Sequence, residues 1–353
     1  MREGAREPAE QCKLGPNQGD GAVAPDVTDR PGEGFMSDEA LVRFTAHELT
    51  REDLHALMIR SDGPAFLRAV WHLGVLAVTG TLLWRLRFTL WVLPLLVVHG
   101  YVLAFLFCAF HETAHRTAFR NRWLNVTVGT LAGLLTFWPY RNYRVYHWEH
   151  HRYTQDVERD PELYFAKPSF LCAYLFVFTG IPNLFRRLSD IFRLARGLAD
   201  RPWMAPSERR PLIIEARAYL AVYVAIALGS VLAGSPMALV VWVLPLLVGQ
   251  AFLRPYLLAE HTACAFTRDC LDNTRTTLTL PLVRLFAWNM PYHAEHHAYP
   301  AVPFHALPRL HERVQTRIAN LDPGYVAATA KVNRYLFGGK DARESAGRAS
   351  GRG

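Results

Sequence analysis

Cysteine is scarce and scattered: Cys12, Cys108, Cys172, Cys264 and Cys270 make no CxxC pair. A disulfide framework is therefore not expected, and a reducing compartment is. The chain does not open with a basic stretch followed by a short apolar core, so no cleavable signal is expected and the first internal span must direct insertion. Charge is missing from long stretches. Residues 69–84, 88–110 and 218–253 contain no Asp, Glu, Lys or Arg. Charge-free runs of this length argue against a soluble globule and for a multi-span membrane protein. The net charge of +8 fits a face resting on anionic lipid. With apolar runs this long, no nucleic-acid partner is expected.

Residues 1–35 have little hydrophobic periodicity and are rich in Gly, Pro and charge, a composition that favours disorder. Met36 begins a more structured sequence and is an alternative start of translation. Residues 36–66 are expected to form amphipathic helices. Thr50 and Asp53 resemble a capping box, Leu54, Leu57 and Met58 share a face, and Gly63-Pro64 is expected to end the helix.

The runs at 69–84 and 88–110 are each near the length that crosses a bilayer as a helix, and Arg85-Leu86-Arg87 between them allows only a tight hairpin. Gly234-Ser235-Pro236 breaks residues 218–253 into a second hairpin. The expected fold is an all-α integral membrane protein with four transmembrane helices in two hairpins and both termini on one side. The Arg-rich stretch 186–217 lies on that side and places it in the cytosol. The apolar stretches 124–137 and 170–185 are expected to be re-entrant or interfacial, since a further crossing would separate the histidine groups. The membrane domain is read as residues 67–320, followed by a partly disordered tail at 321–353.

Histidine is abundant and clustered. Of 15 histidines, His111 and His115 form HxxxH after the second run, His147, His150 and His151 form HxxHH, and His293, His296 and His297 form a second HxxHH. His261 stands at the end of the fourth span. On a helix, residues at i, i+3 and i+4 share a face, so each group can aim its imidazoles at one point. Neutral imidazole suits iron, zinc and copper, and nine such ligands exceed what one tetrahedral zinc can use. His72 and His99 read as packed or lipid-facing side chains, His47 and His55 as solvent-exposed, and His305 and His311 as structural or surface residues. Glu112, Glu149, Glu260 and Glu295 adjoin candidate ligands, and Asp156 and Asp160 follow the second group. Each is a candidate to accept a hydrogen bond from the outer nitrogen of a ligating histidine. Each is equally open to an ordinary ion pair, with Arg152 or Arg159 at hand.

Three stretches, His111-Glu-Thr-Ala-His115, His147-Trp-Glu-His150-His151 and His293-Ala-Glu-His296-His297, resemble the three histidine boxes of the membrane fatty acid desaturase and hydroxylase superfamily, as does the trailing Ala298-Tyr-Pro-Ala-Val-Pro303. The resemblance covers roughly residues 65 to 315. It implies four spans under a cytosolic helical cap, a non-haem di-iron centre, O2 as co-substrate, and oxidation of an unactivated C–H bond with electrons from a donor. It also implies an acyl lipid or acyl-carrier substrate. The sequence has no His-Pro-Gly-Gly signature of a fused haem donor, so a separate electron-transfer protein, ferredoxin-like or haem-containing, is expected. Trp138, Tyr140, Tyr143, Trp288 and Tyr292 are candidates to line an acyl tunnel or simply to pack. A hydroxylase or ketolase acting on a lipid or carotenoid would share the ligand set. A zinc membrane protease is the rival from another class, because His111-Glu112-Thr-Ala-His115 is also HExxH.

Overall fold

The computed structural model describes residues 49–165, 167–168 and 170–338; expectations for Met36, His47 and the rest of residues 1–48 lie outside the described residues. The chain forms helix α1 (Arg51–Leu57), the long helices α2 (Asp62–Arg85) and α3 (Val92–Ala114), and then four shorter ones: α4 (Arg122–Leu135), α5 (Tyr140–Tyr153), α6 (Leu171–Phe178) and α7 (Ile181–Ala195). Two more long segments follow, α8 (Pro206–Leu232) and α9 (Leu244–His261), the latter entered through a π-helical turn at Leu239–Val243. The remainder comprises α10 (Cys270–Asn273), β1 (Arg275–Thr277), α11 (Pro281–Phe286), α12 (His293–Ala298), α13 (Leu307–Val314), β2 (Asn320–Asp322) and α14 (Tyr325–Phe337).

Among the described residues, four helical segments are long and apolar enough to cross a membrane: α2, α3, α8, and α9 with its π turn. They correspond to the four charge-free spans, and the all-α integral membrane class holds. Leu67, Val70, Val78, Val224, Leu228 and Val231 point outward along them, an arrangement that suits lipid rather than water. The hairpin turn at Gly234 has φ +57°, a left-handed geometry that glycine adopts without Cβ strain. Within the bundle α3 packs on α9 at a close crossing. A Cβ on Gly249 would stand 2.0 Å from the Gly100 carbonyl oxygen, so two small residues let the backbones touch. His72 and His99 are packing residues: His72 Nε2 lies 2.8 Å from the Val102 carbonyl, and His99 bridges Thr79 and the Val241 carbonyl.

At the N-terminal end, Thr50 accepts the Asp53 amide at 3.0 Å, and Leu54 and Leu57 are buried, as the capping pattern requires. Gly63-Pro64 does not end this helix, which stops at Leu57. The dipeptide lies in the first turn of α2, where the missing proline N–H costs nothing. His55 is exposed. The apolar stretches between the hairpins are short: α4 has 14 residues, about 21 Å at helical rise, against a core near 30 Å. Gly180, at φ +71°, separates α6 from α7. The exposed side chains Ile181, Phe185, Leu188 and Phe192 recur every three or four residues and make one apolar face of α7.

The segment after residue 320 is folded at least to Gly338. β2 pairs in parallel with β1, Arg275 opposite Asn320, and α14 packs on α9. The buried Arg275 holds Asp322 at 2.9 Å and donates to the Thr262 carbonyl at 2.9 Å, just beyond His261. Asp322 also pairs with Lys331 at 2.5 Å. Asp322→Ala leaves a buried guanidinium without its counterion and is expected to lower stability by roughly 3–5 kcal/mol. Thermal melting of the purified protein in detergent checks this, and an unchanged midpoint would contradict it.

Candidate metal centre

Helices α3 and α9 finish at the same end of the bundle and carry histidines in their last turns. His111 lies in α3 with His115 at its C-cap, and His261 is the last residue of α9. Helix α5 starts after Pro139 and turns Tyr140, Tyr143, His147 and His150 inward, an i, i+3, i+7, i+10 stripe. The short, wholly buried α12 supplies His293, His296 and His297. Within four residues of the last histidines of α3, α5 and α9 the backbone takes left-handed conformations at Arg116 (φ 59°), Gln155 (φ 62°) and Ala263 (φ 61°). Strained backbone next to three converging groups marks a site whose geometry is held by its surroundings.

Eight of the nine histidines converge in two adjacent groups. His111, His115, His147, His151 and His296 offer ligand atoms all within 4.8 Å of one another, as do His150, His261 and His297. His293 adjoins the second group, its Nε2 3.2 Å from that of His261. Within the first group Nε2 of His115 is 2.9 Å from that of His147 and 3.1 Å from that of His296, and His151 approaches His147 at 3.1 Å. A neutral imidazole carries one N–H, so this many nitrogens meeting through one edge cannot all be satisfied by each other. Both nitrogens of His111 and Nε2 of His297 are buried with no hydrogen-bond partner. A cation accepting the inward lone pairs resolves that conflict, so the residues present fit a metal-binding site.

Protonation agrees. Burial, and then repulsion from neighbouring imidazolium groups, holds His147, His151, His293, His296 and His297 well below the ordinary histidine range. They are neutral at pH 7 and present lone pairs. His150 moves the other way: burial opposes its charge, but the Glu162 and Asp160 carboxylates outweigh it and push the pKa up to about 9. The same negative charge favours a divalent cation beside His150.

Outer contacts fix several rings. Asp160 takes His150 Nδ1 at 2.9 Å and is itself held by the Gln155 and Glu162 amides, each at 2.8 Å. Glu112 is fully buried, 3.8 Å from His111 Nδ1 and 3.7 Å from His296 Nδ1, and accepts the Phe304 amide at 3.2 Å. Glu260 lies 3.6 Å from His293 Nδ1. Glu295 turns away from the histidines of its own helix to Thr276 and His311. Glu149 and Asp156 stand at the surface in ion pairs with Arg152 and Arg159, which lie three residues on. Those local partners take the two carboxylates that sequence proximity offered to the histidines. Glu149→Gln is therefore expected to leave metal content unchanged and stability within about 1 kcal/mol. Metal analysis and melting of that variant check it.

Sequence reasoning missed Thr154, whose hydroxyl is 3.1 Å from His297 Nδ1, and Thr274, 3.3 Å from His261 Nδ1. Thr154 lies four residues after His150 on the same helical face, a signal that could have found it; Thr274 left none. His311 is buried beneath the third box through Glu295, whereas His305 is half-buried.

Glu112 also answers the protease reading. The general base of an HExxH enzyme must face the metal-bound water. Here the Glu112 carboxylate stands behind the imidazoles, on their Nδ1 side, while the Nε2 atoms converge opposite.

The fatty acid desaturase family matches residues 88–329, which takes in all nine histidines. The chain belongs to that family. Among curated relatives, the sn-1 oleoyl-lipid 12-desaturase of Picosynechococcus is 36% identical over 88 residues, 23% of this chain and 25% of that enzyme. The dihydrorhizobitoxine desaturase of Bradyrhizobium elkanii is 26% identical over 256 residues, 67% of this chain and 69% of its own length. A Delta(9) fatty acid conjugase-like enzyme of Dimorphotheca sinuata is 24% identical over 236 residues, 56% and 61% of the two chains. The first match thus spans only a quarter of the relative's length.

Proposed function

We propose that the protein is an O2-dependent desaturase of an acyl lipid, with a non-haem di-iron centre held by the nine histidines. The observation that carries this reading is the convergence of His111, His115, His147, His151 and His296 beside His150, His261 and His297 at the ends of two apolar hairpins. His293 completes the set. Bound iron would supply the one-electron oxygen chemistry that no side chain can perform. The chain's own residues hold the imidazoles in place, keep water from the site by burial, and orient rings through Asp160, Thr154 and Thr274, with the Glu112 and Glu260 carboxylates adding negative charge behind them.

Aromatic side chains support an apolar substrate. Tyr143 stacks on His147 at 5.0 Å, and Phe107 lies 6.3 Å from His111. Electrons would come from a separate ferredoxin-like or haem protein. The Arg-rich stretch 186–217 favours a topology with four crossings and with the centre and both termini in the cytosol. The test is lipid analysis of host membranes with and without the protein, using His150→Ala as control. New acyl species lighter by two hydrogens, absent from the control, are the expected result. Species heavier by one oxygen would reassign the chemistry to hydroxylation, and no histidine-dependent change in any lipid would refute lipid oxidation.

A further inference from the structure

Outside the histidine centre, the described residues include a second concentration of unusual chemistry. A small cleft, open to solvent on one side, lies between α5, α7 and the loop that follows α7. Arg186, Arg187, Arg193 and Arg201 line it, with Trp138 and Trp203 among its walls. Two of these charges are met locally: Arg193 pairs with Asp200 and Arg201 with Asp190, each at 2.8 Å. The other two have no carboxylate partner among the described residues. Arg186 donates to the Asn183 amide oxygen at 2.9 Å. Arg187, only 6% exposed, donates to the Thr136 carbonyl and lies 4.5 Å from the centre of the Trp138 ring. Its Nε is buried without a hydrogen-bond partner. Burial, then repulsion from Arg254 and Arg186, pulls the Arg187 pKa well below the ordinary arginine range. A buried guanidinium left unpaired is costly, and an oxyanion accepting from the planar forks is the natural counter-charge.

The position of the cleft narrows the ligand. At 100° per residue, Ile181, Phe185, Leu188 and Phe192 fall on one side of α7, and Arg186, Asp190, Arg193 and Leu194 on the other. The apolar side is exposed and the arginine side faces the cleft. A helix so divided suits a bilayer interface with its apolar face toward the acyl region, a placement that would set the cleft at headgroup level. Trp138 also packs 4.6 Å from Tyr143, the ring that stacks on His147.

We infer that this cleft is a phosphate subsite that takes the headgroup phosphodiester of a membrane phospholipid, through Arg186 and Arg187, and so places an acyl chain beside the histidine centre. The placing of a chain for oxidation rests on the desaturase reading; the phosphate site does not. The test uses the full-length protein in detergent and its tryptophan fluorescence. The probe is dihexanoyl phosphatidylglycerol, whose chains are too short to serve as a long-chain substrate, with a dihexanoyl galactolipid that lacks phosphate and with phosphopantetheine as comparisons. Saturable binding of the phosphatidylglycerol is expected, with Arg186→Gln weakening it about tenfold or more and the exposed Arg209→Gln leaving it unchanged. Arg187→Gln also removes the Trp138 and Thr136 contacts, so Arg186→Gln, with its melting point as a folding check, is the deciding variant. Equal binding of the galactolipid, or an Arg186→Gln chain that binds like the parent, would overturn the subsite. Tighter binding of phosphopantetheine would overturn the lipid and assign the cleft to an acyl carrier. Because binding is read without turnover, failure of the desaturase reading would show separately, as unchanged host lipids beside intact binding.

Discussion

A His296→Ala chain is expected to insert and fold but to hold less iron and give no desaturated product. His296 is fully buried in the group of five, its Nε2 3.1 Å from that of His115 and its Nδ1 3.7 Å from Glu112. Removing the ring takes away one donor and leaves its neighbours' lone pairs pointing at a weaker site. Loss of an outer partner alone costs about 10–100-fold in metal affinity or activity, so loss of a ligand should exceed about 100-fold. His305→Ala, at a half-buried position eight residues beyond the third box, is the matched control and should leave product unchanged. Product measured beside iron per chain checks both. Normal turnover in His296→Ala would remove it from the metal centre.

The second large effect is expected at Asp160. Its carboxylate is pinned by two backbone amides and takes His150 Nδ1, so it fixes the tautomer that turns Nε2 inward. Asp160→Asn keeps the size and removes the charge, and the His150 pKa should fall from about 9. Metal affinity and product are expected to drop about 10–100-fold while the fold persists. Asp156→Asn, four residues earlier in an exposed pair with Arg159, should change neither. Metal titration of the two variants side by side checks the contrast, and equal behaviour would contradict it.

That contrast also marks how far the sequence could be read. Absence of charge located the spans, because hydrocarbon tolerates no alternative, and i, i+3, i+4 spacing located the histidine groups, because helix geometry is local. His261 was legible from its place at a span end. The acids were not separable by sequence. Glu149 and Asp156 find arginines three residues on, whereas Asp160 turns inward because two amides of its own loop hold it. Thr274 reaches His261 only through the loop after α9, and His311 reaches Glu295 only through the packing of α13 on α12. The β1–β2 pair joins three-residue strands far apart in the chain, too short to show a period. The segment after residue 320, which reads as a tail, carries β2 and packs α14 on α9. Gly63-Pro64 was a breaker read at the wrong end: the same residues that stop one helix can open the next.

The most direct test of the central claim is the metal content of the purified full-length protein, read by elemental analysis against protein concentration. Two irons per chain, lost in the His296→Ala variant, are predicted. One zinc per chain, with no iron, would contradict the di-iron centre and the oxidative chemistry proposed for it.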